Sequence, residues 1–293
     1  MTIIQYSERL NEIVEAGEGL QKLASGFVFS EGPVWCSRKN QLYFTDFPKH
    51  RIYTWSYAFG LQLYTEQSNR AVGLTLDAEG RLLACESVTR RISRTEEDGT
   101  IVGLATHFQG NRLNNTNDVI VKRDGTVYFS DPYSTMLGDT QELPFNGVFR
   151  CDPVTGTVDL LVDDFKRPNG LAFSPDESLL YIDDTSKQHI RAFDVVSDGT
   201  LKNGRLFAEM DTAAGPGAAD GMKVDQLGNV YVTGPGGVWI FAPSGERLGR
   251  IEFPEVAANL CFGSPPDSPI GTTLFITASS ALYSIKLKVC GAV

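Results

Sequence analysis

Six copies of one short strand pattern recur along the chain, and each copy ends in a small or acidic residue. The last residues of successive copies lie 40 to 53 positions apart. The copies are QLYFTD (41–46), RLLACE (81–86), TVYFSD (126–131), LLYIDD (179–184), NVYVTG (229–234) and TLFITA (273–278). Their Tyr, Phe, Val and Ile residues suit a pleated, half-buried surface. A period in this range is typical of folds whose units need their neighbours to bury both faces.

A second apolar element precedes each copy, so every unit contains a strand, a turn, a strand and then further strands. About four strands per unit, repeated six times, predict an all-β fold: a six-bladed β-propeller with four-stranded antiparallel blades. We expect one domain over residues 1–293, with residues 1–19 as an N-terminal lead-in in which 5–16 form a short helix or an irregular segment. Strands from both chain ends should close the ring, with 282–289 or 20–29 as the candidates.

The net charge of the chain argues against a nucleic-acid partner. It is −10 at neutral pH, whereas phosphate binding requires a clustered basic face. Arg90, Arg91 and Arg94 are the nearest approach to such a cluster, and we interpret them as a solvated strand edge. No stretch resembles a signal peptide or reaches the length of a membrane span. A cytoplasmic protein without a membrane partner is therefore expected, and the sequence predicts no oligomeric state.

The spacing of the cysteines and histidines does not indicate disulfides or a zinc site. The five cysteines are widely spaced and form no CxxC pair, and the three histidines form no HxxxH pair. Neither a disulfide scaffold nor a thiolate or imidazole zinc centre is indicated.

One residue of each unit falls in the same register at the mouth of the innermost strand. In a propeller the innermost strands line a central channel, so residues in equivalent register converge on the axis. Four of the six are oxygen donors and two are apolar. They are Glu31, Val72, Asn117, Asn169, Asp220 and Ala258.

The four oxygen donors predict a divalent metal site. Two carboxylates and two amides would repel each other or lack partners in a buried channel unless a cation lay between them. Oxygen ligands favour calcium, which fits a wide channel best, with magnesium, manganese or zinc as alternatives. Taken singly, each of the four could be an ordinary turn or cap residue, and the shared register is what favours the metal.

Other polar residues are candidates for a substrate contact or for structural hydrogen bonds. Arg112 could reach over the channel to a substrate, or could be a surface arginine on a loop. The acidic residues that end the second strands, one layer further out, should bond backbone groups of neighbouring blades. They are Asp46, Glu86, Asp131 and Asp184. Loops 133–145 and 211–219 either rim the site or are plain connections.

At these residues the sequence resembles the SMP-30, gluconolactonase and luciferin-regenerating enzyme family, in particular its bacterial sugar-lactonase branch. The motifs are SEGPVW, RLNNTNDVIVKRDGTVYFSDP, RPNGLAFSPDESLLYIDD and DGMKVDQLGNVYVTGPGGVWIF. The resemblance implies a metal bound by Glu31, Asn169 and Asp220, with Asn117 at the metal and touching substrate, and Arg112 as a substrate contact. Where this chain has Asn115-Thr116, the branch often has Ser-Pro, so we expect a different local loop shape.

The resulting hypothesis is calcium-dependent hydrolysis of a sugar lactone, such as a glucono-lactone, to the aldonic acid. Calcium would polarise the lactone carbonyl, and Asp220 would orient or deprotonate the attacking water; direct attack by a water on the metal is the alternative. Two other functions fit the same ligands. One is a propeller hydrolase that acts on phosphotriesters or a different lactone, and the other is a non-catalytic calcium-binding propeller.

Overall fold

The structure is a six-bladed β-propeller, which confirms the predicted fold. The computed structural model describes residues 2–15, 17–135, 138, 140–266 and 271–292. Each blade is an antiparallel sheet with at least four strands, and the innermost strands are neighbours around the channel. From the channel outwards, blade 1 consists of Ser30–Cys36, Gln41–Asp46, Arg51–Ser56 and Gly60–Thr65. Blade 2 consists of Ala71–Leu76, Leu82–Glu86, Arg91–Thr95 and Ile101–Ala105.

The next two blades follow in chain order. Blade 3 consists of Val119–Val121, Val127–Asp131, Gly147–Cys151 and Val158–Val162. Blade 4 consists of Pro168–Phe173, Leu179–Asp184, His189–Val195 and Leu201–Glu209. A small hairpin of His107–Phe108 and Asn111–Arg112 lies between blades 2 and 3 in the chain.

The N-terminal segment contributes strands to the last two blades. Blade 5 consists of Met222–Val224, Val230–Gly234, Gly237–Phe241 and Arg247–Glu252, with Ile3–Gln5 as a fifth, outermost strand. Blade 6 consists of Ala257–Gly263, Thr273–Ala278 and Ala281–Lys286, with Gln21–Ser25 outermost. The two segments proposed for ring closure therefore pair with each other.

The lead-in contains a 3-10 helix, Glu8–Glu12, of which Leu10 is part of the core. Leu10, Ile13 and Val14 are buried against blades 5 and 6. Elsewhere in the described part of the chain, the 3-10 helices Phe47–Lys49 and Thr212–Ala214 lie in loops. No helix among the described residues is long and apolar enough to cross a membrane.

Six hydrophobic clusters fill the six interfaces between neighbouring blades. Between blades 6 and 1, for example, Trp35 stacks on Phe275 with ring centroids 5.3 Å apart. Each blade thus buries both faces against its neighbours, as the repeat predicts. The five cysteines are free, and four of them are buried in this core.

Two structural expectations need correction. Arg90 is not on a solvated edge, because it is 3% exposed and donates to the carbonyls of Leu113 (2.5 Å) and Asn114 (2.9 Å). The acidic residues at the ends of the second strands bond the loop that leads into their own blade, not a neighbouring blade. Asp46 accepts from the amide of Phe29 at 3.1 Å, and Asp184 accepts from that of Arg167 at 3.2 Å.

Candidate active site at the channel mouth

The four predicted oxygen donors converge in one cavity at a mouth of the channel. The cavity has a volume of about 180 Å³ and opens to solvent. Glu31, Asn117, Asn169 and Asp220 come from four different blades, and all four line it, together with Val72 from blade 2. Ala258, the sixth register position, is buried and is not one of the described lining residues.

Irregular pairing places these side chains in the channel. The register of the innermost strand shifts between Glu31 and Val34 in blade 1, and between Pro168 and Leu171 in blade 4. Asn117 and Asp220 precede the first paired residues of their strands. A bulge or strand start frees a side chain from the regular ladder and re-aims it. Local irregularity at each register position therefore builds the site.

The next residue along each innermost strand allows the blades to approach closely. Four of these six positions are glycine and the other two are Asp118 and Asn259. The amide of Gly73 donates to the carbonyl of Asn117 at 2.8 Å, and a Cβ at Gly73 would lie 2.6 Å from that oxygen. Only glycine permits this contact, so the small residues set the diameter of the channel.

Burial and repulsion between neighbouring carboxylates disfavour the ionised forms of Glu31 and Asp220. Burial, followed by repulsion from Asp118, raises the pKa of Glu31 to about 7. Burial and repulsion from Glu31 and Asp183 raise the pKa of Asp220 well above its usual range. Neither carboxylate has an ion pair with a basic residue in the described part of the chain. The site thus concentrates negative charge without a protein counter-charge in contact.

These donors fit a hard divalent cation. Two carboxylates and two amide oxygens match the ligands that calcium and magnesium prefer. The described residues contain no group of three or more His, Cys, Asp or Glu side chains that could hold a metal, so any site here has a mixed carboxylate and amide cage. A cation among these residues would offset the repulsion that raises both pKa values.

Hydrogen bonds orient the two amides. Nδ2 of Asn169 donates to Oγ1 of Thr185 at 3.0 Å. Its Oδ1 accepts from Nδ2 of Asn117, so the two amides are in contact. Asn115, in the loop expected to differ from the family branch, lines the cavity and accepts from the amide of Ser134 at 2.7 Å.

Arg112 lies elsewhere. It is in the small hairpin, its Nη2 donates to the carbonyl of Thr89 at 3.3 Å, and it is not among the described residues that line the cavity. Its role as a substrate contact stays a prediction. Ser134, from loop 133–145, lines the cavity, while residues 136, 137 and 139 of that loop lie outside the described residues.

The sequence motifs did not indicate most of the residues that line the cavity, although they lie at two further positions of the repeat. The residue two positions before the register residue lines the cavity in four blades, because alternate residues of an extended strand face the same side. These residues are Phe29, Arg70, Asn115 and Arg167. The residue after the second-strand acid lines it in three blades, as Phe47, Ser87 and Pro132. Both positions can be identified from the sequence repeat alone.

Comparison with known proteins identifies the family. Residues 29–280 match the family model described as the SMP-30/Gluconolactonase/LRE-like region. The chain belongs to this family. The resemblance inferred from the motifs is therefore confirmed, and the matched region contains strands of every blade.

Similar family members include two curated enzymes and a solved structure. A gluconolactonase of Zymomonas mobilis is 32% identical over 318 residues, which cover 99% of this chain and 87% of that protein. The pentonolactonase XacC of Haloferax volcanii is 28% identical, over 80% of this chain and 77% of its own. The structure of a gluconolactonase from Xanthomonas campestris is 30% identical with a TM-score of 0.88, and covers 98% of this chain and 95% of that one.

Proposed function

We propose that this protein hydrolyses a sugar lactone, of the glucono-lactone kind, to the aldonic acid with the help of a bound divalent cation, for which calcium fits best. The observation that carries the proposal is the convergence of two carboxylates and two amides from four blades in one open cavity. The lactonase names of the similar family members support the choice of substrate.

Glu31, Asn117, Asn169 and Asp220 would hold the cation. When bound, it supplies a Lewis acid that polarises the lactone carbonyl and stabilises the developing oxyanion. Glu31 is held by its own neighbour, since its Oε2 accepts from the amide of Gly32 at 2.8 Å. Thr185 orients Asn169, as described above.

Asp220 is the candidate general base. It is half-buried and lines the cavity, so it can contact both a water molecule and a bound lactone. Burial and the neighbouring carboxylates raise its pKa, and a cation held beside it would lower that pKa again, so that Asp220 would be ionised and able to accept a proton. Asp220 would accept a proton from water as the water oxygen bonds to the carbonyl carbon. The ring C–O bond then breaks, the ring oxygen takes the proton back from Asp220, and the new acid ionises.

The proton released by that acid provides the test. Glucono-1,5-lactone hydrolysis would be followed with a pH indicator after chelation and after addition of calcium, magnesium, manganese or zinc. We expect metal-dependent turnover, and a loss of about 100-fold or more in kcat for Asp220→Ala, which is the usual range for removal of a general base. Asp198→Ala, in an exposed turn, is the matched control.

The same experiment distinguishes the alternatives. Turnover of phosphotriesters but of no lactone would replace the proposal with a different hydrolase. Calcium binding without turnover of any ester would indicate a non-catalytic calcium-binding propeller.

A further inference from the structure

Two arginines differ from the rest because no described residue accepts a hydrogen bond from the guanidinium. The sequence contains sixteen arginines. Fourteen of them donate at least one guanidinium hydrogen bond to a protein oxygen. Within the described residues, Arg70 and Arg167 donate none, and both line the candidate active site.

The backbone of each arginine is held in place. Arg70 has a left-handed backbone with φ of 60°, and its guanidinium lies over the ring of Phe47, 5.5 Å from the centroid. The amide of Arg167 donates to Asp184 at 3.2 Å, and its carbonyl accepts from the amide of Thr185 at 3.0 Å. Both residues lie two positions before the register residues of their blades, so they belong to the same layer of the wall.

The charges of the wall favour an anionic ligand. Its titratable residues are Glu31 and Asp220 in the cage and Arg70 and Arg167 two positions upstream. Once a divalent cation offsets the two carboxylates, the two guanidiniums are the remaining charges. A neutral lactone would offer the two guanidiniums uncharged oxygens only and no counter-charge. A carboxylate or phosphate would accept their N–H groups in the paired geometry that guanidinium favours.

We propose that the substrate is a sugar lactone that carries an anionic group, a carboxylate or a phosphate, on its exocyclic carbon. The lactone carbonyl would lie at the Glu31 and Asp220 end, and the anionic group would lie between Arg70 and Arg167. This inference rests on the lactonase function proposed above. It also gives a reason for two cations that line the mouth of a protein with a net charge of −10, because local positive charge helps to attract an anion to an acidic protein.

The test compares three lactones with the same six-carbon chain: neutral glucono-1,5-lactone, the glucarolactone with a terminal carboxylate, and 6-phosphoglucono-1,5-lactone. We expect kcat/KM at least about tenfold higher for one anionic lactone than for the neutral one, and the preferred anion identifies carboxylate or phosphate. Arg70→Met and Arg167→Met should each lower that ratio at least about tenfold, mainly through KM, as expected for loss of a charge-assisted hydrogen bond. Added salt should lower it as well.

Arg205→Met is the matched control, because Arg205 pairs with Asp194 on the outside of blade 4, and it should leave the ratio unchanged. A preference for the neutral lactone, or a ratio that does not change in Arg70→Met and Arg167→Met, would overturn the inference.

A binding experiment separates failure of this inference from failure of the lactonase function. If no lactone is hydrolysed, calorimetry with calcium present would compare gluconate, glucarate and 6-phosphogluconate. Tighter binding of glucarate or 6-phosphogluconate than of gluconate, lost in Arg70→Met, would support the anion site even though the proposed activity had failed. Equal binding of all three acids would overturn the anion site.

Discussion

Thr185 and Asn169 form a hydrogen bond that determines which end of the Asn169 amide faces the cavity. Oγ1 of Thr185 accepts from Nδ2 of Asn169 at 3.0 Å, and it donates its own hydrogen to the carbonyl of Ala219 at 2.8 Å. Because the hydroxyl has one hydrogen and uses it on Ala219, it acts as an acceptor toward Asn169. The amide oxygen of Asn169 therefore faces away from Thr185, where it accepts from Nδ2 of Asn117 and keeps a second lone pair for a ligand in the cavity.

The substitution Thr185→Val should weaken cation binding, although Thr185 is not one of the proposed ligands. Valine keeps the volume but removes the acceptor, so the Asn169 amide is free to rotate. We expect calcium affinity and lactone kcat/KM to fall about 10- to 100-fold, as is typical when the partner of a metal ligand is lost. Calcium titration by calorimetry and initial rates would measure both. Thr200→Val, at a partly exposed position between the two outer strands of blade 4, is the control, and unchanged calcium affinity in Thr185→Val would contradict the orienting role.

Glu31→Gln should change stability in opposite directions with and without calcium. The folded-state pKa of Glu31 is raised from 4.5 to about 7, so without a cation the free energy of unfolding falls between those two pH values and the loss is complete at pH 8. In chelator at pH 8 the variant should therefore melt at a higher temperature than wild type. Saturating calcium, at about 100 times Kd, should stabilise wild type by about 2.7 kcal/mol and the variant by much less.

Scanning calorimetry with chelator and with calcium measures this reversal. Glu97→Gln, at an exposed position, should behave as wild type in both buffers. If calcium stabilises Glu31→Gln as much as wild type, Glu31 is not a ligand.

Gly170→Ala should destabilise the ring at the site. A Cβ at this position would lie 2.7 Å from Oδ2 of Asp183 and would overlap the carbonyl oxygen of Asp220. Overpacking of this kind costs about 1–3 kcal/mol, and it would also displace Asp220 and lower activity. Urea unfolding measures the cost. Gly19→Ala, where no heavy atom lies within 4 Å, is the control, and equal stability of the two variants would refute the close packing.

Titration of Asp131 should lower the free energy of unfolding as the pH rises. Burial raises its pKa to about 7, and Oδ1 of Asp131 and Oδ1 of Asn114 both lack a partner in the described structure. The folded protein therefore keeps a proton that the unfolded chain releases near pH 4, so the free energy of unfolding decreases between about pH 4 and pH 7. A shift of about three units corresponds to at most about 4 kcal/mol.

Asp131→Asn removes this titration and should flatten the pH dependence of the free energy of unfolding relative to wild type. Urea unfolding at pH 5 and pH 8 would show it. Asp163→Asn, at an exposed position, should keep the wild-type slope, and an unchanged slope in Asp131→Asn would mean that Asp131 is ionised throughout.

The repeat alone was sufficient to predict the architecture. The strands predicted at 41–46, 179–184 and 273–278 have those same bounds in the structure. Alternating apolar residues and turn pairs act over a few neighbouring positions, so this information is local. The register that aligned Glu31, Asn117, Asn169 and Asp220 also came from the repeat, because blade symmetry converts equal register into convergence on one axis.

Tertiary structure decided what depends on contacts between distant segments. The pairing of Gln21–Ser25 with Ala281–Lys286 joins the two ends of the chain, and no local pattern determines which strands meet. Arg90, Arg112 and Arg167 are the same residue type in the sequence, yet the first is buried under carbonyls, the second lies in a hairpin and the third lines the cavity. The path of a long side chain depends on which carboxylates and carbonyls the fold brings within its reach, so only the folded ring could distinguish them.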